Sequence, residues 1–261
     1  MTDARALRDA LGGADLVVHA AAMTNVDGCE LDPERAAAVN ADGAANVAAA
    51  GVRVIHLSTD YVFSGAEPDE YAEDAPTGPL GAYGRTKLAG EQAVAAATER
   101  HWIVRTQWLY GLGGRNFVDT MLALAAEKPF VAVVDDQVGS PTCTHDLAPL
   151  LWRFVQRRPP WGIWHATNAG QTSWHGFAAE IFRQAGLAVD LRRMSSRDLQ
   201  RPAPRPARSV LSNARLAGFF GAGLPAWPEG LSGYLERRRR WLAAGAPPRD
   251  STADAARGRK T

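Results

Sequence analysis

The chain has 261 residues, of which 46% are hydrophobic, so it can bury a large core in one domain or in two. Its 29 basic residues nearly balance its 28 acidic residues, which argues against a nucleic-acid-binding protein, because such proteins usually show a basic excess. Two cysteines are too few for a disulfide-rich scaffold. The sequence contains no run of about 18 apolar residues, so we expect no membrane span.

The first part of the chain alternates short apolar runs with helical segments. Its charged, amphipathic N-terminus lacks the apolar core of a signal peptide, so we expect a cytoplasmic protein. Asp32 and Pro33 suit the start of a helix, and Gly51 suits its end. The predicted elements are a helix from Thr2 or Asp3 to Leu11, a strand over 15–22, a helix over 32–51, a strand over 52–58, a loop over 59–81 and a helix over 82–99.

The alternation continues after residue 100 and loosens from about residue 140. The Pro/Arg-rich stretch 201–209 predicts an extended loop, and the polar, aperiodic residues 246–261 predict a disordered tail. The other predicted elements are strands that begin at 101 and 130, a strand over 162–166, and helices over 116–128, 145–157, 173–185 and 227–243.

Strands separated by helices of this length indicate βαβ units and a mostly parallel sheet with both faces covered. We therefore predict an α/β fold with a Rossmann-type, doubly wound sheet. Residues 1–130 would form an incomplete dinucleotide-binding domain, and residues 131–245 a smaller substrate-binding region.

A tyrosine and a lysine lie four residues apart on one face of the predicted helix 82–99. These are Tyr83 and Lys87, and Ser58 and Thr59 end the strand before them, at the sheet edge where ligands bind. An ammonium near a phenol favours the phenolate, so we expect Lys87 to lower the pKa of Tyr83. The set could donate a proton to a carbonyl oxygen while a hydride arrives at the carbon. A Tyr/Lys pair at this spacing without the strand-end hydroxyls would more often be an exposed helical pair.

Six segments occur in an order typical of one enzyme family. They are "HAAAMTNVDGCELDPERAAAVNADGAANVA", "VIHLSTDYVFSG", "YGRTKLAGEQAV", "IVRTQWLYG", "NFVDTML" and "DDQVGSPT". Over about residues 1–245 the chain resembles the dTDP-4-dehydrorhamnose reductase family of the extended short-chain dehydrogenase/reductase superfamily. Each motif alone is weak, and their succession is specific.

The resemblance implies a role for each matching residue. Tyr83 would be the catalytic acid, Lys87 would tune it and hold the nicotinamide ribose, and Thr59 would be the third catalytic residue. The other implied contacts are with the cofactor, NADPH or NADH, for Ala22, Met23 and Thr24, and with the dTDP-sugar substrate for Thr59, Asp60 and Trp108.

Several further residues allow a structural or a functional interpretation. Asn40 matches an asparagine that supports the site in relatives, or it bonds local backbone within its helix. A metal site is not expected, because neither the histidines nor the cysteines show ligand spacing. The remaining candidates are Asp135, Asp136 and Gln137 as pocket or turn residues, His19, His56 and His165 as core residues, and the charge run 236–241 as a solvated helix face.

One element of the family is missing from this sequence. Relatives begin with a strand, a glycine-rich turn and a helix that receive the pyrophosphate of the cofactor. Here Gly12 and Gly13 precede a strand, so they do not form that turn. We expect a chain truncated at its N-terminus, because the start is placed too late, because it is a degraded paralogue, or because it works in this form. The residue that selects NADPH or NADH would lie in the missing part.

The resemblance implies that the protein reduces the C4 keto group of dTDP-4-dehydro-L-rhamnose to dTDP-L-rhamnose with NAD(P)H. Two alternatives remain open: a ketoreductase for another dTDP-deoxysugar, and a non-catalytic sugar-nucleotide or regulatory subunit. No nucleic-acid or membrane partner is expected, and a homodimer is possible.

Overall fold

The computed structural model describes residues 2–67 and 69–245, and the predicted tail 246–261 lies outside them. Helices and strands alternate through the first part of the chain as predicted. Their bounds are α1 Ala4–Leu11, β1 Leu16–His19, α2 Val26–Leu31, α3 Pro33–Ala37, α4 Gly43–Ala48, β2 Arg53–Thr59, α5 Ala82–Ala97 and β3 His101–Thr106.

The second part contains more and shorter elements than the sequence predicts. Their bounds are β4 Leu109–Tyr110, α6 Phe117–Glu127, β5 Val131–Val134, β6 Val138–Gly139, β7 Thr142–Cys143, α7 Thr144–Arg157, β8 Gly162–His165, β9 Thr172–Ser173, α8 Trp174–Ala185, β10 Leu191–Met194, α9 Ala214–Phe220 and α10 Trp227–Ala243. Within the described ranges, no helix is long and apolar enough to cross a bilayer.

Four parallel strands form the central sheet, in the order β1-β2-β3-β8. The register pairs Val18 with Ile55 and Ile55 with Trp102, so neighbouring side chains form rows across the sheet. β1 lies at one edge and β8 at the other.

Helices cover both faces of this sheet, because successive strand residues point to opposite sides. On β2, Val54 packs in a cluster with Val47 of α4 and Val94 of α5. The next residue, Ile55, packs in a separate cluster with side chains of α7 and α9, among them Phe154. The sheet is therefore doubly wound, and the predicted fold class is confirmed.

A further apolar cluster lies outside the central sheet. It joins side chains of α6, α8 and α10 with β5, and its centre includes Phe177 and Tyr234. β5 pairs in parallel with β10, β4 pairs with β7, and β6 pairs with β9 in antiparallel. The central sheet includes β8, which lies beyond residue 130. The division of the chain into two regions at residue 130 stays a prediction.

The structure corrects several predicted elements. The helix expected over 32–51 ends at Ala48 and contains a π-helical turn, Ala38–Asp42. α2, β10 and α9 are absent from the prediction, because short elements are formed by tertiary packing and carry little periodic signal. The stretch 201–209 contains neither helix nor strand, as predicted.

Candidate active site

The strands β1, β2 and β3 end at the same edge of the sheet, where open α/β sheets bind their ligands. β2 ends at Thr59, and Tyr83 is the second residue of α5. The cap residue of α5 is Gly81, which has no side chain, and Glu30 of α2 supplies the missing acceptor. Its Oε2 accepts a hydrogen bond from the Ala82 N–H at 2.6 Å. Glu30 therefore fixes the start of the helix that carries Tyr83.

Thr59 lies between Tyr83 and Asp60. The Thr59 side chain lies near enough to the Tyr83 phenol to lower the pKa of that phenol, and its Oγ1 donates to Asp60 Oδ1 at 3.0 Å. The backbone N–H of Tyr61 donates to Thr59 Oγ1 at 3.2 Å. The Tyr61 ring meets the Tyr83 ring edge-on, with 5.4 Å between the ring centroids. The structure therefore brings two predicted site residues, Thr59 and Tyr83, into contact.

Lys87 follows Tyr83 by one turn of α5 and is buried. Its Nζ donates to the carbonyl oxygen of Leu57 at 2.7 Å, which holds the side chain against β2. Burial lowers the pKa of Lys87 to about 8, while the nearby Glu91 carboxylate raises it. An ammonium has three N–H donors, so Lys87 keeps donors beyond the Leu57 bond for a bound molecule.

The expectation that Lys87 lowers the pKa of Tyr83 is wrong. Burial raises the pKa of Tyr83; hydrogen bonding by Thr59 opposes this rise and the Asp60 charge adds to it. Lys87 is held by Leu57, and its own burial disfavours the charge that the expectation required. Tyr83 is therefore a neutral phenol near neutral pH, which is the form that can donate a proton.

Asn40 connects the segment after β1 to α5. Its amide accepts from Met23 N–H at 2.8 Å and donates to the Met23 carbonyl at 3.1 Å and to Thr86 Oγ1 at 3.1 Å. These partners are distant in sequence, so the interpretation as a local backbone bond is wrong. The π-helical turn places the side chain at this junction, where it is buried.

Ser58 points away from Tyr83. Its hydroxyl donates to Glu91 Oε1 at 2.5 Å, and the same carboxylate accepts two hydrogen bonds from Arg105 at 2.9 and 2.7 Å. Arg105 also donates to the Glu73 carbonyl at 3.3 Å. Ser58 therefore belongs to a buried network that fixes the loop after β2, because adjacent strand residues face opposite sides of a sheet.

Ala22, Met23 and Thr24 follow β1 at the same edge of the sheet. Met23 packs in a small apolar cluster with Tyr83, whereas Thr24 is exposed. The hydroxyl of Tyr83, the spare donors of Lys87 and this wall fit the hydroxyl groups and ring of a nicotinamide riboside. Gly12 caps the end of α1 and does not follow a strand, so it does not form the turn that would receive the pyrophosphate. The residues described here therefore fit only the nicotinamide half of the dinucleotide.

A cavity of about 800 Å³ opens beside these residues, between the central sheet and the second apolar cluster. This volume suits a ligand of sugar-nucleotide size. Its lining includes Val26 and Tyr61 from the first side, Phe117, Met121, Gln137, Trp174 and Met194 from the second, and Arg197, Arg201 and Arg205 from the loop region that follows β10.

Trp108 stacks on Trp174, which lines this cavity, with 3.6 Å between ring centroids and 10° between ring planes. Its backbone φ is +47°, a left-handed conformation that is rare for a bulky residue. Such strain is retained where the fold or the function requires it. Trp174 lines the cavity and Trp108 packs behind it, so the role of Trp108 at the substrate stays a prediction.

The three polar residues after β5 divide between two roles. Gln137 lines the cavity. Asp135 accepts from Ser173 at 2.5 Å and pairs with Arg193, and hydrogen bonding by Ser173 keeps its pKa below the usual value. Asp136 accepts from the Ser196 N–H at 3.0 Å. The aspartates therefore hold segments that are distant in sequence, a role that neither the pocket nor the turn interpretation describes.

The predicted core histidines are buried. His19 and His56 hydrogen-bond each other through Nδ1 at 2.8 Å on the adjacent strands β1 and β2. His165 Nδ1 bonds the Tyr71 carbonyl oxygen at 3.1 Å. Among the described residues, no cluster of His, Cys, Asp and Glu could hold a metal ion. In the charge run 236–241, Arg238 pairs with Asp119 at 2.5 Å, and Glu236 and Arg240 are exposed partners of each other.

Sequence reasoning missed the residues that reach this site from distant parts of the chain. Trp174 and Arg205 lie outside every quoted motif, and Glu30 lies within the first of them without any signal of its contact with α5. Ser209 belongs to the stretch that the sequence marks only as a loop, and its hydroxyl donates to Asp60 Oδ2 at 2.6 Å.

A family model described as RmlD substrate binding domain matches residues 1–240. The chain is 40% identical to the spore coat polysaccharide biosynthesis protein SpsK of Bacillus subtilis, over 91% of this chain and 85% of that protein. It is 46% identical to a dTDP-4-dehydrorhamnose reductase of Mycolicibacterium smegmatis, over 88% of this chain and 73% of that protein. A probable dTDP-4,6-dihydroxy-2-methyloxan-3-one 4-ketoreductase of Streptomyces antibioticus is 45% identical, over 83% of this chain and 75% of that protein.

Solved structures agree with these relatives. A dTDP-4-dehydrorhamnose reductase from Clostridium acetobutylicum superposes with a TM-score of 0.88 at 38% identity, over 91% of this chain and 86% of that chain. The same enzyme from Bacillus anthracis, in complex with NADP, superposes with a TM-score of 0.86 at 36% identity, over 90% and 86%.

Proposed function

This chain belongs to the dTDP-4-dehydrorhamnose reductase family, and from that premise we propose that it reduces the C4 keto group of dTDP-4-dehydro-L-rhamnose to give dTDP-L-rhamnose. The reductant is NADPH or NADH. The observation that carries this proposal is the contact between Thr59 and the neutral phenol of Tyr83, at the strand ends and beside a cavity of about 800 Å³.

Tyr83 donates its proton to the ketone oxygen as that oxygen gains negative charge. A reduced nicotinamide held beside Tyr83 and Lys87 would supply the hydride that the ketone carbon needs. Thr59 lies beside the Tyr83 phenol and helps to orient it, and Lys87 would hold ribose hydroxyls of the cofactor with the N–H donors that Leu57 does not use. Proton donation by a positioned side chain contributes roughly a hundredfold to ten-thousandfold to such a rate.

The sugar nucleotide occupies the cavity. Trp174, supported by the stacked ring of Trp108, presents a flat aromatic wall, and Gln137 supplies amide donors and an acceptor. Arg197 and Arg201 line the same cavity and carry the positive charge that a diphosphate requires.

The state of the two cysteines bears on the compartment in which the protein works. Cys29 and Cys143 are both free and buried, which suits a reducing compartment, so we place the enzyme in the cytoplasm. A homodimer stays a prediction.

A second candidate is reduction of a different dTDP-ketosugar. The relative from Streptomyces antibioticus favours it, because its identity of 45% is close to the 46% of the reductase from Mycolicibacterium smegmatis. Both reactions would use Tyr83 as the proton donor, so the two candidates differ in the fit of the sugar to the cavity.

Turnover with defined sugars tests this proposal. The purified chain is supplied with NADPH or NADH and dTDP-4-dehydro-L-rhamnose or another dTDP-ketosugar, and NMR identifies the carbon that is reduced. We expect reduction at C4 of dTDP-4-dehydro-L-rhamnose, with a kcat/KM above that for the other sugar. A higher kcat/KM for the other sugar would support the second candidate. Binding of NADPH without turnover of either sugar would contradict both and support a non-catalytic subunit.

A further inference from the structure

The helix α5 contacts the end of β2 at two successive turns, through Lys87 and Glu91. Lys87 Nζ donates to the Leu57 carbonyl oxygen at 2.7 Å. Glu91 Oε1 accepts a hydrogen bond from Ser58 Oγ at 2.5 Å. Side chains four residues apart lie on one face of a helix, and Leu57 and Ser58 are neighbours in the chain. The amine and the carboxylate are therefore held side by side, at points on β2 that a single peptide unit separates.

Arg105 of β3 fixes the position of the Glu91 carboxylate. Its Nε donates to one carboxylate oxygen at 2.9 Å and a second guanidinium nitrogen donates to the other at 2.7 Å. Arg105 is itself held by the Glu73 carbonyl oxygen at 3.3 Å and lies over the ring of Phe63, 5.1 Å from its centroid. Such bidentate pairs are strong and geometrically specific, so the carboxylate has one place beside Lys87.

The other titratable groups that face Lys87 carry no charge near neutral pH. His19 of β1 and His56 of β2 are neutral, because burial lowers their pKa values to about 4 and about 2. Tyr83, one turn before Lys87, is a neutral phenol because burial raises its pKa. Within this set, Glu91 is therefore the group that brings a negative charge to the buried amine.

We propose that Glu91 is a positioning residue that keeps Lys87 in its ammonium form and in place for the cofactor ribose. This inference rests on the proposed function, because it assigns the charge of Lys87 to the binding of NADPH or NADH. Glu91 is 3% exposed and is not among the residues that line the large cavity. It acts through Lys87 and does not contact the substrate.

The charge of Lys87 decides how many donors it offers to a ligand. An ammonium has three N–H bonds and a neutral amine has two, and the Leu57 carbonyl takes one of them. Loss of a proton from Lys87 therefore removes one of the two remaining donors together with the charge. Burial favours this loss and lowers the pKa of Lys87 to about 8, whereas the Glu91 carboxylate opposes it.

NMR of the lysine side chains tests the effect of Glu91 without cofactor or turnover. The chain contains only Lys87, Lys128 and Lys260, so labelling the lysine Cε with carbon-13 gives few signals, and Lys87→Gln identifies the signal of Lys87. In wild type this signal should titrate at about pH 8. Glu91→Gln should move the midpoint about one pH unit lower, because it removes an opposite charge. An unchanged midpoint would overturn the proposal.

Ser58→Ala is the matched control for the hydrogen-bond network. It removes one donor to Glu91 and leaves the carboxylate held by both bonds from Arg105. The Lys87 midpoint of this variant should therefore stay near that of wild type. If Glu91 served only to brace the end of β2, Ser58→Ala and Glu91→Gln would give the same midpoint, and that result would count against the proposal.

A double variant guards against loss of the fold. Glu91→Gln alone leaves Arg105 as a buried charge without its partner, which is strongly destabilising. Glu91→Gln with Arg105→Gln removes both charges of the pair. The Lys87 midpoint should fall in this protein too, since Glu91 is the partner whose charge raises the pKa of Lys87. A wild-type midpoint in the folded double variant would overturn the proposal.

The affinity for NADPH, measured by fluorescence titration without sugar, tests the link to the proposed function. Wild type should lose affinity as pH rises through about 8. A midpoint about one unit lower would raise the Kd of Glu91→Gln about threefold at about pH 7.5 and leave it nearly unchanged at about pH 6. An equal rise at both pH values would reveal a structural defect and overturn the proposal. Wild type that binds no NADPH would contradict the proposed function, while the NMR midpoints would still decide the effect of Glu91 on Lys87.

Discussion

Single side chains in this site act across long stretches of sequence. Asn40 and Met23 lie on different elements, and the Asn40 amide satisfies both the N–H and the carbonyl of Met23. The same amide bonds Thr86, whose hydroxyl bonds the Tyr83 carbonyl at 3.1 Å. One buried residue therefore links the proposed cofactor wall to the helix that carries the proposed acid.

Replacing Asn40 with Ala should lower the free energy of unfolding by about 1–3 kcal/mol, because the Met23 N–H loses its acceptor. Urea denaturation of the variant measures this change. Asn40→Asp is the matched control, since it keeps the acceptor and loses the donors to Met23 and Thr86. Equal stability of Asn40→Ala and wild type would show that the Asn40 bonds do not hold this junction.

At the scale of elements, β1 and β2 share a buried histidine pair beneath the site. His19 and His56 occupy paired register positions, and neither Nε2 has a hydrogen-bond partner among the described residues. Burial lowers the pKa of His19 to about 4 and that of His56 to about 2, and the nearby Lys87 lowers both further. The two rings are therefore neutral in the folded protein at neutral pH.

This pair should make the protein sensitive to acid. In the unfolded chain these histidines take up protons below pH 6.5. In the folded chain His19 stays neutral down to about pH 4. Stability that is present above 6.5 should therefore fall with decreasing pH, by up to about 1.4 kcal/mol per pH unit for each histidine.

Urea denaturation between pH 6.5 and about 4 measures this loss in wild type and in a His19→Val, His56→Val double variant. Other acidic groups titrate in both proteins, so the difference in slope reports the histidines. The double variant should lose less stability over this range. Parallel slopes would mean that the histidines are already solvated in the folded protein.

At the scale of the whole molecule, the site is assembled from two sides. The loop that contains residues 200–209 is fastened to the first part of the chain at two acidic residues. Arg205 pairs with Asp27 at 2.9 Å, and Ser209 bonds Asp60 at 2.6 Å. This loop forms one wall of the cavity, so the fastening fixes the cavity's shape.

The sequence was sufficient to predict the parts of this assembly that depend on local pattern. Apolar runs and helix caps predicted the doubly wound sheet, and the order of STDYVF and YxxxK predicted that Thr59 and Tyr83 meet. The raised pKa of Tyr83 could not be predicted, because it depends on burial that only the tertiary structure creates. The bond between Ser209 and Asp60 joins residues 149 positions apart, and no local signal marks such a pair.

The most direct test of the account is the single-turnover rate of nicotinamide oxidation by Tyr83→Phe with dTDP-4-dehydro-L-rhamnose. The variant keeps the ring and loses the proton donor, so the rate should fall roughly a hundredfold to ten-thousandfold while NADPH binding is retained. Tyr110→Phe is the control, because it removes another buried hydroxyl that has no hydrogen-bond partner among the described residues. The rate of this variant should match that of wild type. A Tyr83→Phe variant that oxidises NADPH at the wild-type rate would contradict the assignment of Tyr83 as the acid.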